Sequence, residues 1–165
     1  MIFDIKGLSN IYRVRRLFKE DVDLIYELCI KNDDFYLYHP PFVTKESIIE
    51  DMHALPKNIS YENKYYVGFF KDNKLMAIMD IILGYPSKDI AFIGFFMMNK
   101  EYQNKGIGSS IVKEVFDYLL KLHYSKVQLG VDIDNPHSYA FWIKNGFNVV
   151  KQEKYILMEL NLLEN

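Results

Sequence analysis

Residues 103–108 read Gln103-Asn104-Lys105-Gly106-Ile107-Gly108, and an amphipathic helical pattern follows directly. A turn with two glycines that opens into a helix gathers unpaired backbone N–H groups at the positive end of the helix dipole. Such a turn suits a phosphate or a diphosphate. Glycine matters at 106 and 108 because a Cβ there would hold the ligand oxygens away from the amides. By itself the hexapeptide is a weak signal, since glycine pairs before helices often serve only as turns. Its weight comes from a second motif 27 residues after Gly108, Asn135-Pro136-His137-Ser138-Tyr139-Ala140-Phe141-Trp142-Ile143-Lys144-Asn145-Gly146-Phe147. There an Asn is placed to cap a short helix, a Pro to fill its first position and a Gly to end it. The glycine turn is not a Walker loop, which needs Gly-Lys-Ser/Thr, nor the Rossmann pattern.

The elements that must hold these motifs follow from periodicity. Residues 1–11 offer only a short extra strand or an arm, and 12–17 alternate as an edge strand. Lys19-Glu20-Asp21 places acidic residues in the first turn of a helix running to about Ile30, with Val22, Ile25, Leu28 and Cys29 on one face. Asn32-Asp33-Asp34 ends it. An aromatic loop follows, with Phe35, Tyr36, Tyr38, His39, Pro40, Pro41 and Phe42. Thr44 and Ser47 begin a second helix that stops before Pro56. Residues 65–70 and 75–83 read as strands joined at Asp72-Asn73, a pair that tolerates left-handed backbone angles. After Gly84-Tyr85-Pro86-Ser87 a third run, 90–98, completes an antiparallel meander. Ile107, Ile111, Val115, Phe116, Leu119 and Leu122 recur at helical spacing, and Val127, Leu129, Val131 and Ile133 alternate as a strand. Two terminal strands near 147–151 and 154–160 close the chain. Counted this way, about seven strands and about four helices make one α/β (α+β) domain over 1–165. No repeat, linker or low-complexity tract interrupts it.

Composition narrows the partners. The chain has 165 residues, half of them apolar, with 12 Phe and 13 Tyr, so a full core needs no staples. Lys and Arg number 20 against 22 Asp and Glu, a net charge of −2, without the basic excess of a nucleic-acid protein. No apolar run is long enough for a membrane span, and the N-terminus has no signal-peptide core. The lone cysteine, Cys29, excludes an internal disulfide, fits a reducing cytoplasm and falls in a core position. His53, His123 and His137 show no metal-ligand spacing, so no metal is expected. The outline is a soluble cytoplasmic protein.

At this point the chain resembles the GNAT superfamily, the Gcn5-related N-acetyltransferases. That family's acyl-CoA motif has Gln or Arg, two residues, Gly, one residue, then Gly or Ala, matched by Gln103, Gly106 and Gly108. Its second motif, an Asn opening a short helix that ends in Gly-Phe, is matched by Asn135 through Gly146-Phe147. The element order agrees over about 11–161. The resemblance implies a mixed, mostly antiparallel central sheet flanked by helices, with acetyl-CoA as cofactor. Amides from Gln103 through Asn104, Lys105, Gly106 and Ile107 to Gly108, with the Ser109 hydroxyl, would hold the diphosphate. The backbone of Phe96, Met97 and Met98 would bond the pantetheine arm where two strands splay apart, the second ending near Asp132. Asn135 would touch the arm or brace the turn, and Lys105 would help a CoA phosphate or be merely solvated. Dimers through terminal strands are common in this fold, and the apolar end from Tyr155 to Leu163 would permit a homodimer.

The reaction implied is direct acetyl transfer from a thioester to a primary amine of a small molecule or protein. The amine must lose a proton, and the departing sulfur must be stabilised or protonated. Many relatives place the sulfur's tyrosine where this chain has Trp142, whose indole cannot act as an acid near neutral pH. Tyr139, three residues earlier and roughly on the same helix face, is the alternative acid or a wall over the CoA arm. Trp142 would line the acyl pocket. The strand before the turn holds no Glu, Asp or His. Asp80 stands out as a substitute base because a mid-strand carboxylate among aliphatics is costly unless paired or functional. Its bland alternative is a solvated edge or a partner such as Arg13 or Arg15. Asp132 is a further carboxylate, and His39 could bind or deprotonate an amine. Tyr36, Tyr38 and His39 could floor an amine pocket, with cation–π contact to an ammonium, or simply pack the loop on the sheet. A non-catalytic acyl-CoA sensor on the same fold is the competing reading.

Overall fold

The computed structural model describes residues 2–164; Met1 and Asn165, the ends of the predicted domain, lie outside them. Among the described residues, alternating apolar runs form β1 (Arg13–Arg16), β2 (Lys64–Lys71), β3 (Lys74–Leu83), β4 (Ile90–Met98), β5 (Lys126–Asp132), β6 (Asn148–Gln152) and β7 (Tyr155–Asn161). The helical runs form α1 (Val22–Ile30), α2 (Asp33–Tyr38), α3 (Lys45–His53), α4 (Ile107–Lys121) and α5 (Pro136–Lys144). All strands join one sheet in the order β1-β2-β3-β4-β5-β7-β6. Every pairing is antiparallel except β4 with β5.

Strand alternation splits the core in two. Ala77, Met79, Ile81 and Leu83 of β3 join the larger cluster, which takes in Ile111, Val115 and Leu119 of α4. Ile78, from the opposite face, joins Ile25, Leu28, Ile48 and Met52 of α1 and α3. Each fully buried aliphatic contributes roughly 1.5–3 kcal/mol, so the stripe along α4 fixes that helix, and with it the glycine turn at its head, against the sheet. At the other end of β5, α5 starts on Asn135, whose side chain accepts from the Ser138 N–H at 3.2 Å. It stops at Gly146, where φ is +94°.

Two expectations change. Residues 5–8 form a 3₁₀ turn capped by Asp4 rather than a strand. The aromatic segment is not all loop: Asp33 and Asp34 occupy the first turn of α2, where acidic residues favour a helix start. In the sheet β7 lies between β5 and β6, so Ile156, Met158, Leu160 and Leu162 face the core, while Tyr155 at its start and Leu163 just past its end stay exposed. The outer edge is β6, exposed along its length.

Candidate active site

The two parallel strands β4 and β5 pair only from Ile90 opposite Lys126 to Ile93 opposite Leu129. Beyond that both continue, to Met98 and Asp132, without bonding each other. The cause lies in β4. Ile93 pairs with Ile81 and Phe95 with Asp80, which leaves Gly94 as the extra residue of a bulge. A bulge bends its strand and raises the local twist. The result is a wedge whose β4 wall presents unpaired backbone groups.

A cavity of about 670 Å³ opens at this wedge, within the range that buries a cofactor-sized ligand. Phe96, Met97 and Met98 form its β4 wall. Gln103, Asn104, Gly106, Gly108 and Ser109 form its floor at the head of α4. Asn135 and Trp142 face them from α5. Trp142 is buried, edge-on to Phe96, Phe141 and Phe147. Gly106 caps α4 with φ +78°, the left-handed region, and no atom lies within 4 Å of where its Cβ would stand. At Gly108 a Cβ would come within 3.2 Å of Phe141 Cε1 and 3.3 Å of Met98 Cγ. A side chain there would therefore require both neighbours to give by a few tenths of an ångström. The open space over the turn, the helix N-terminus and the unpaired β4 edge together fit a coenzyme A molecule.

Side-chain bonds fix this arrangement in ways the motifs did not reveal. Gln103 Nε2 donates to Asn32 Oδ1 at 2.6 Å and to the Met98 carbonyl at 3.1 Å. The buried Asn32 in turn donates through Nδ2 to the carbonyls of Leu28 and Met98. The end of α1, the end of β4 and the glycine turn are thus one unit. Both lone pairs of the Met98 carbonyl are engaged, and Met97 turns its backbone to β3, so Phe96 is left with its backbone groups on the open side of β4. Ser109 Oγ accepts from Asn145 Nδ2 at 3.2 Å, tying the first turn of α4 to the last of α5. Lys105 stays outside the lining, 5.8 Å from the Tyr102 ring centre. Ile107 packs towards the core. Tyr139 is also outside the lining and 38% exposed, although its neighbours Ser138 and Ala140 line the cavity.

On the acceptor side Phe35 and Tyr38 reach the cavity wall. Tyr36 does not: it is buried against α1 and α3, edge-on to Phe35. Burial pushes its phenol pKa up, and pushes the neighbouring Cys29 thiol up to about 11. His39 directs Nδ1 at both oxygens of Asp132, at 3.0 Å each. Its ring stacks on Phe35 at 5.3 Å. Nothing in the sequence pairs two residues so far apart; only the meeting of α2 with the free end of β5 does.

Asp80 has neither a solvated edge nor an arginine partner. It is 7% exposed, and its Oδ2 accepts from Lys64 Nζ at 2.7 Å, a lysine itself only 2% exposed. Arg15 instead binds Asp21 through both oxygens. Burial pushes the Asp80 carboxyl up, and the lysine pulls it back. Its Oδ1 is buried without a partner. A Cβ at Gly94, an exposed residue, would come within 2.8 Å of Oδ2, so the bulge passes directly beside this carboxylate. The sequence reading missed Asn32, Phe35, Phe141 and Asn145. Asn32 carried a signal, a polar residue at the end of an apolar helix, but its bonding partners are distant in the chain.

No helix among the described residues is long and apolar enough to cross a membrane. No curated protein matches the chain in sequence. Solved structures do match it in fold. The PaiA N-acetyltransferase of Thermoplasma acidophilum, in complex with coenzyme A, superposes with a TM-score of 0.69 at 21% identity, covering 91% of this chain and 98% of that one. A spermidine N-acetyltransferase, a SpeG chimera from Vibrio cholerae and hSSAT, gives 0.69 at 17% identity, with 94% and 98% covered. The ribosomal-protein-S18-alanine N-acetyltransferase of Escherichia coli gives 0.65 at 16%, with 92% and 94% covered. The acetyltransferase (GNAT) family model matches residues 28–147, a span that holds the wedge, the glycine turn and the Asn135 helix. With that match across most of its length, the chain belongs to the GNAT acetyltransferase family, whose cofactor is acetyl-CoA.

Proposed function

We propose that this protein transfers an acetyl group from acetyl-CoA directly to a primary amine of a small molecule or a protein. The observation that carries the reading is the β4–β5 wedge, with the glycine turn at its foot and the aromatic residues Phe35 and Tyr38 in its lining. Bound there, the cofactor supplies an acyl carbon activated by its thioester. The amides from Gln103 to Gly108 would hold the diphosphate, with Ser109 behind them and Lys105 within reach of a further phosphate. Phe96 would align the arm, while Asn135 braces α5. Trp142, Met97 and Met98 close the inner end and suit a short acyl group. The similar spermidine and ribosomal-protein enzymes support an amine acceptor of either size. Tyr38 and His39 would face that acceptor. Asp80, buried beside Gly94 with Oδ2 held by Lys64 and Oδ1 unpartnered, would add negative charge behind the bulge towards the ammonium. Tyr139 would turn its phenol inward to protonate the sulfur. The single reduced cysteine fits a cytoplasmic setting.

The test is thiol release from acetyl-CoA with a panel of polyamines, amino acids, aryl amines and peptide N-termini. Release that requires an amine establishes the activity. A protein that binds CoA in calorimetry yet modifies no acceptor is instead an acyl-CoA sensor. The absence of an acidic residue or histidine from β4, with Trp142 in place of a tyrosine, favours that second reading.

A further inference from the structure

Resting on that reading, we infer that His39, oriented by Asp132, is the base that takes the proton from the acceptor amine. The two residues meet beside the wedge, outside the cavity lining itself but next to Phe35 and Tyr38, which belong to it. Asp132 ends β5 three residues beyond its last pair with β4, and His39 follows the last turn of α2. With Nδ1 held between both carboxylate oxygens, the ring carries its proton there and leaves the Nε2 lone pair free. Nε2 meets no partner among the described residues. The ring's position is set on its face by Phe35, which also lines the cavity. A histidine held by a carboxylate on one nitrogen and open on the other is the arrangement of a general base.

Asp80 is the rival, and the geometry disfavours it as proton acceptor. It is tied to a buried lysine at 2.7 Å, and its side chain is 10% exposed against 58% for His39. The charged groups around His39 are Asp132 from β5 and Asp51 from α3, whose carboxyl lies within electrostatic reach. The acceptor arrives as an ammonium and gives one proton to Nε2, making an imidazolium stabilised by Asp132. Its nitrogen bonds the acyl carbon as the carbon–sulfur bond breaks. The leaving sulfur takes its proton from the Tyr139 phenol, the second nitrogen proton restores that phenol, and the imidazolium returns the first to solvent. The sum is an amide, a thiol and one released proton.

His39→Gln should lower kcat/KM by about 10²-fold or more, abolish its rise with pH on the acid side, and leave CoA affinity by calorimetry unchanged. Asp132→Asn should cost less. Nitrogen-15 NMR of the wild-type imidazole, without any ligand, should show the Nδ1-protonated tautomer, and Asp132→Asn should shift it towards Nε2–H. Asp80→Asn should keep the acid-side limb. If Asp80→Asn removes that limb while His39→Gln keeps it, or if wild-type His39 is protonated on Nε2, the inference is overturned. Wild-type protein that turns over no amine at all would count against the acetyltransferase reading, and the tautomer measurement would still decide the role of the pair.

Discussion

Replacing Gly108 with Val separates the two reasons for that glycine. A Cβ at 108 already presses on Phe141 Cε1 at 3.2 Å and on Met98 Cγ at 3.3 Å, and valine adds two more methyls. Overpacking of this kind costs about 1–3 kcal/mol, which at roughly 2–4 °C per kcal/mol for a chain of this size lowers Tm by about 2–12 °C. The fold should survive. Binding should not: a diphosphate pushed off two backbone amides loses about 1.5–3 kcal/mol per charged hydrogen bond. Two such bonds amount to roughly 3–6 kcal/mol, a rise in CoA Kd of about 10²–10⁴-fold. Calorimetry with CoA and a thermal melt on the same sample read both effects. Gly106→Ala is the internal comparison, because no neighbour stands within 4 Å and only its φ of +78° is penalised. Left-handed backbone costs an alanine about 1–2 kcal/mol, so a drop of a few degrees is expected there without any packing change. A folded Gly108→Val that binds CoA as tightly as wild type would refute the anion-site argument.

Three other outcomes follow from the same geometry. Tyr139→Phe should lower kcat by about 10²-fold, the low end for acid–base catalysis, at unchanged CoA affinity; if Tyr38→Phe does so instead, the acid is the tyrosine already lining the cavity. Lys64→Met should destabilise the fold by about 3–5 kcal/mol, since it strands the buried Asp80 carboxylate, whereas the double change Lys64→Met with Asp80→Leu should recover most of that loss; equal melting temperatures for the two would show that the pair is not coupled. Cys29, buried and with its thiol pushed up to about 11, should resist alkylation at pH 8 in the native state and react fully in denaturant, as mass spectrometry would read.

How much of this was legible in the sequence depends on the range of the interaction concerned. Local signals determined the helix caps, the hairpin at Asp72-Asn73, the glycine turn and the Asn135 helix, because each is settled by a few neighbouring residues and their backbone angles. Apolar runs likewise marked the strands at 65–70, 75–83 and 90–98. They could not say that β7 inserts between β5 and β6, since the apolar pattern of an inner strand does not name its neighbours. Nor could they make Asn32 the clamp on Gln103, Lys64 the partner of Asp80, or Asp132 the partner of His39. Those contacts join residues 16 to 93 positions apart. A lysine, an asparagine or a histidine in one dimension carries only the capacity to bond. The bulge at Gly94 and the packing of α2 over the open wedge decided which partner each one met, and so turned scattered polar residues into a site.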